Sequence, residues 1–170
     1  DREVAAKRAP RGFHGHGFSG PVLSPEGLLA ITTKASASRG GVADGEIFLH
    51  GECLDTVVEA VKKAKRSVKI LAYTFDHGSL CTALRQAMQR HVEVKITADE
   101  RQALFGNTRR MLERLLDLLD EGAKVVLARG RGHKGIMHVK LYIVDDEVAF
   151  AGSANASNHS HGSAAELLIG

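Results

Sequence analysis

The residues best suited to chemistry lie near the C-terminal end of the sequence: His138-Val139-Lys140, then Asp145, then Gly152-Ser153-Ala154-Asn155. In a strand, alternate side chains share a face. His138 and Lys140 therefore project together, with a rise of roughly 7 Å between them. Leu141, Ile143 and Asp145 point the other way. An imidazole beside an ammonium makes a poor core pair and a good oxyanion site. The run Gly152 to Asn155, ending the next strand, brings a hydroxyl and an amide alongside. One fixed positive charge and several hydrogen-bonding groups then converge, as a tetrahedral phosphate requires. A histidine met alone is more often an interior residue than a nucleophile. In register with Lys140, Ser153 and Asn155, the phosphate-handling reading outweighs that one.

The spacing resembles the signature of the phospholipase D superfamily, His-x-Lys-x4-Asp followed after six residues by Gly-Ser-x-Asn. His138, Lys140, Asp145, Gly152, Ser153 and Asn155 match it at every named position. At about 5% per residue type, chance supplies the whole pattern in a few chains per million. Glu166 stands where the family commonly has an acidic residue. The resemblance implies two-step phosphodiester transfer through a phosphohistidine, in which Lys140, Ser153 and Asn155 hold nonbridging oxygens. Glu166 hydrogen-bonds an imidazole nitrogen. Asp145 and Gly152 are structural members of the motif. The family's site uses two such motifs and this chain has one, so the resemblance implies a homodimer sharing one site. It calls for no metal and no cofactor. The run Gly-Ser-Ala-Asn-Ala-Ser lacks the aromatic pair common in small nucleases of the family. Many members also continue past the position of Gly170 with another helix, so the fold is expected to be truncated there.

The elements that must position these groups can be read from periodicity. Strands are expected at 46–50, 67–75, 92–98, 123–128, 138–144, 147–151 and 165–169. Helices are expected at 55–65, 77–90 and 108–121, with a turn at Asp145-Asp146. Val57, Val58, Val61 and Ala64 form one helical face. Helices alternating with strands imply an α/β layer fold with a mixed sheet, and the short turn makes the last hairpin antiparallel. Residues 1–45 are rich in Gly, Ser, Ala and Arg and read as a leader or partly ordered arm. Within it, His14 and His16 lack the neighbours of a metal site. Residues 46–170 form the catalytic domain. A chain opening on Asp1 is expected to be a fragment or a processed form.

The sequence has 170 residues, 44% of them hydrophobic and 25% charged, which suits one globular domain. Two cysteines, Cys53 and Cys81, are too few for a disulfide scaffold and read as buried apolar residues. The net charge is +3, and cations concentrate between 101 and 135. Arg129, Arg131 and Lys134 precede the catalytic strand and are candidate substrate contacts, with Arg101, Arg109 and Arg110 nearby. His133, His159 and His161 sit in polar loops and read as non-catalytic. The basic, Gly-rich loop favours nucleic acid, single-stranded DNA or RNA, over a phospholipid headgroup. Trp is absent and Tyr occurs twice, so contacts are expected to be with phosphate more than with bases. The alternatives are a cardiolipin-type phospholipase and a catalytically silent nucleic-acid-binding member.

Overall fold

The computed structural model describes residues 22–23, 47–49, 52–106, 109–132, 134–162 and 166–170. The strands are β1 (Val22–Leu23), β2 (Ile47–Leu49), β3 (Ser67–Ala72), β4 (Glu93–Asp99), β5 (Lys124–Ala128), β6 (Lys140–Val144), β7 (Val148–Gly152) and β8 (Leu167–Ile169). The helices are α1 (Glu52–Lys63), α2 (Gly78–Gln89), α3 (Glu100–Phe105), α4 (Arg110–Asp120) and α5 (Asn158–Gly162). They form a mixed α/β fold around one sheet ordered β1-β5-β4-β3-β6-β7-β8-β2. The half from β1 to β3 is parallel, and the half from β6 to β2 is antiparallel.

The core follows from side-chain parity. Ile70, Ile96, Tyr142, Phe150 and Leu168 share one sheet face and pack with the apolar stripe of α1, Leu54, Val57, Val58 and Val61. Leu80, Leu84 and Ala87 of α2 and Leu115 and Leu118 of α4 complete that cluster. Both cysteines are buried, and burial pushes the Cys81 thiol up to about 11. That places it outside redox chemistry at neutral pH. Leu71 and Ile143, on the other face, are buried outside the cluster.

Several elements differ from the sequence expectation. Val22–Leu23 pairs with β5 as an edge strand, where composition suggested an arm; two residues are too few to show a period. The rest of 1–45, with His14 and His16, lies outside the described residues, as does His133. The short helices α3 and α5 replace loops, because five or six residues carry under two turns of pattern. β6 begins at Lys140 and leaves His138 just before the strand.

Asp145 sets the register of β6. Asp145 and Asp146 both take positive φ, 57° and 58°, as the central residues of a type I′ turn do, and the Glu147 amide closes the turn on the Val144 carbonyl at 3.0 Å. The Asp145 carboxylate accepts the backbone amides of Lys65 (2.9 Å), Arg66 (2.7 Å) and Ser67 (2.9 Å). It thereby fastens the far end of β6 to the start of β3. Burial works to raise its pKa, but the amides of Ser67, Lys65 and Arg66 outweigh burial and hold it below the usual value. A depressed carboxylate contributes stability above its unfolded pKa, and that stability is lost as pH falls through the folded value. Asp145→Asn is expected to cost about 1–3 kcal/mol at pH 7. The gap from wild type should close below about pH 4, as checked by urea unfolding across pH.

Candidate active site

The site lies where the parallel strands end. Ala72 of β3 pairs with Ala98 of β4 and with Lys140 of β6, so the end of one strand meets the start of the other. Asp99, one residue further, pairs with Ala128 of β5. Asp99 is fully buried. One of its oxygens accepts the amide of Gln102 at 2.8 Å and caps α3. The other accepts the amide of Met137 at 2.6 Å. A single carboxylate thus fixes α3 and the backbone immediately before His138.

His138 and Lys140 meet directly, with 2.8 Å between Nε2 and Nζ. An ammonium has three donors and no lone pair. Nε2 is therefore the acceptor in this contact, with the ring proton on Nδ1. Lys140 is buried while His138 is exposed. Burial lowers the Lys140 pKa, partly offset by the charge of Glu166. Tyr73, just past β3, packs edge-on against the His138 ring with centroids 4.5 Å apart. Its ring also lies 5.3 Å from the ammonium. Gln102 of α3 donates to the Tyr73 hydroxyl at 2.7 Å. Tyr73, Gln102 and Asp99 escaped sequence reasoning; their position just beyond parallel strands is the signal that could have found them.

Glycine is required at 152 because a Cβ there would stand 2.1 Å from the Leu167 carbonyl oxygen. That close approach lets the Ser153 amide donate to the same carbonyl at 2.9 Å. Ser153 Oγ donates to Glu166 at 2.5 Å and accepts the Leu167 amide at 3.0 Å. Ser160 of α5 donates to the second Glu166 oxygen at 2.9 Å and accepts the Asn155 amide at 3.1 Å. Within the chain, then, the Glu166 carboxylate accepts from two serine hydroxyls. Asn155 Oδ1 is buried with no hydrogen-bond partner among the described residues. It lines a cleft of about 320 Å³ that also reaches Gln102 and His159. A buried orphan amide oxygen costs about 1–3 kcal/mol, so the group is poised for a ligand. Turning the amide over presents Nδ2 there instead, a donor suited to a phosphate oxygen.

The basic residues divide. Arg129 is bound to Glu100 through both Nε and Nη2, the latter at 2.6 Å, so its charge is already neutralised and it is poorly placed to serve substrate. Lys124 pairs with Glu93, and Arg114 with Asp117. Arg131 and Lys134 are exposed beside the site, and Arg101 donates to the Lys134 carbonyl at 3.2 Å. His161 contacts Asp55 at 3.0 Å and the ring of His77. No cluster able to hold a metal ion occurs among the described residues.

Residues 57–169 match the family model described as "Cardiolipin synthase, PLD-like domain". The chain is 31% identical over 107 residues to a probable cardiolipin synthase of Bacillus subtilis, covering 62% of this chain and 21% of that protein. It is 30% identical over 107 residues to a phospholipase D of Rickettsia typhi, covering 61% and 47%. The chain thus spans from a fifth to about half the length of these two relatives. Among solved structures it resembles Nuc, a phospholipase D family member from Salmonella typhimurium, with TM-score 0.63 and 25% identity over 74% of this chain and 82% of that one. NucT from Helicobacter pylori gives TM-score 0.64 and 26% identity over 74% and 83%.

Two substitutions test how the site is held. Gly152→Ala is expected to separate β7 from β8 at a cost of about 1–3 kcal/mol. Gly78→Ala, where a Cβ meets nothing within 4 Å, should be near neutral; thermal unfolding compares them at roughly 2–4 °C per kcal/mol. Asp99→Asn turns an amide donor toward one of two backbone N–H groups. It should cost about 1–3 kcal/mol and broaden or shift the His138 ring signals in NMR spectra.

Proposed function

This chain belongs to the phospholipase D superfamily, and on that premise we propose that it is a phosphodiesterase whose nucleophile is His138. The observation that carries the reading is the contact between Lys140 Nζ and His138 Nε2. The arriving phosphate takes the ammonium onto a nonbridging oxygen and frees the lone pair for attack on phosphorus. The bond from phosphorus to the leaving oxygen breaks as the phosphohistidine forms. A second imidazole must give the leaving oxygen its proton. That group then takes a proton from water, and the hydroxide displaces His138 from phosphorus. In this proposal the second imidazole is His138 of another copy, so two chains share one site. Glu166, beside Lys140, is placed to meet an imidazole brought by that copy.

The substrate we favour is a phospholipid diester. Sequence alone favours nucleic acid, because the loop from Arg129 to Lys134 is basic and rich in glycine. Folding removes Arg129 from that set and adds exposed Leu104, Phe105 and Ile136 to the same edge. The names of the curated relatives agree with lipid. The second reading, a nuclease acting on single-stranded DNA or RNA, is supported by exposed Arg101, Arg131 and Lys134.

Cleavage of a soluble aryl phosphodiester, phosphatidylglycerol vesicles and single-stranded DNA and RNA, all in excess EDTA, tests the chemistry and ranks the substrates. His138→Ala is expected to lower the rate about 10⁴-fold or more. Mixtures of wild-type and His138→Ala chains should lose activity as the square of the wild-type fraction. Activity that survives in the variant, or that needs a divalent metal, overturns the mechanism.

A further inference from the structure

Three large apolar side chains stand exposed in the segments that follow β4 and precede β6: Leu104 at 39%, Phe105 at 60% and Ile136 at 44%. They belong to one rim. Leu104 and Phe105 follow Arg101 by three and four residues, so they share its face of α3. The bond from Arg101 to the Lys134 carbonyl brings the loop of Ile136 to that face, and Asp99 ties α3 to Met137. The loop is tightly folded: a Cβ on Gly130 would stand 2.4 Å from the Ile136 carbonyl oxygen.

Around these side chains lie Arg101, Arg109, Arg110, Arg131 and Lys134. All five are exposed, and none forms an ion pair among the described residues. Glu100 is occupied by Arg129. Exposed Glu113, one turn into α4, is outnumbered. Arg85 and Lys124, by contrast, are paired with Glu121 and Glu93, on α2 and at the opposite end of the sheet.

We propose that this rim is a docking surface for an anionic lipid bilayer. Phe105 and Ile136 enter the interface while the five cations meet acidic headgroups. The proposal rests on the phospholipid reading above and deepens it. Two of the three exposed apolar side chains are aliphatic. They suit insertion among acyl chains and offer no ring on which a base could stack. A cleft of about 320 Å³ is lined by Gln102 of α3, by Gly106 at its end, by Met111 of α4 and by Asn155.

The chain contains no tryptophan, so Phe105→Trp supplies a single reporter. On phosphatidylcholine vesicles with about 30 mol % phosphatidylglycerol, its emission should shift to the blue and resist quenching by acrylamide. Pure phosphatidylcholine should leave it unchanged. Flotation of the otherwise native chain with the same vesicles should weaken about tenfold or more in Phe105→Ser/Ile136→Ser. It should also weaken as salt rises toward about 0.5 M. The double variant should still cleave the soluble aryl diester, whose hydrolysis needs no surface. Folded protein that cleaves the soluble diester but binds no anionic vesicle overturns the docking proposal. So does loss of single-stranded DNA binding in the double variant with vesicle binding intact. Vesicle binding by a wild-type chain inert toward the soluble diester would uphold docking and overturn the His138 chemistry instead.

Discussion

The architecture of the site depends on one buried carboxylate. Asp99 ends β4, caps α3 and accepts the Met137 amide. The strand, the helix that follows it and a segment 38 residues away are fixed by two oxygen atoms. Any other donor or acceptor arrangement leaves a buried amide unsatisfied, at a cost of about 1–3 kcal/mol. The Gly-rich loop between β5 and β6 can be irregular because its end is held in this way. His138 precedes its strand and gains no ladder bond of its own, so its placement comes from this clamp, from the Tyr73 ring and from Lys140.

The arrangement also separates electrical tasks. Lys140 is kept from water and has Glu166 as its electrostatic neighbour. Glu166 itself is held by Ser153 and Ser160. The hydroxyls pin the carboxylate without neutralising it, so its charge stays available to an imidazole or to the ammonium. The outer cations differ: they are exposed, and salt screens their fields over a Debye length of roughly 8–10 Å.

Much of this was legible in the sequence. Val57, Val58, Val61 and Ala64 lie on a buried face as the period required, and Asp145-Asp146 forms the turn. His138 meets Lys140 as their spacing suggested, although His138 precedes β6 and strand parity does not place it. Tyr73, Gln102 and Asp99 were not legible, since each acts through residues some 30 to 65 positions away. The pairing of Arg129 was hidden for a related reason. Its neighbours in sequence are basic, whereas its partner Glu100 arrives from another strand's end. Charge summed along a chain cannot distinguish an ion pair from a free cation.

The grip of Asp145 on three amides of the β3 approach has a consequence for how the motif can vary. The distance from Lys140 to Asp145 works as a ruler laid along β6, zeroed at the hairpin. Side chains in the interval can change while the ruler keeps its length. Removing or adding one residue would rotate everything upstream by half a turn of the pleat, carrying Lys140 and the segment before it to the opposite side of the sheet. The invariant in such a strand is a number of residues, and the aspartate, remote from the reaction, is the point from which they are counted.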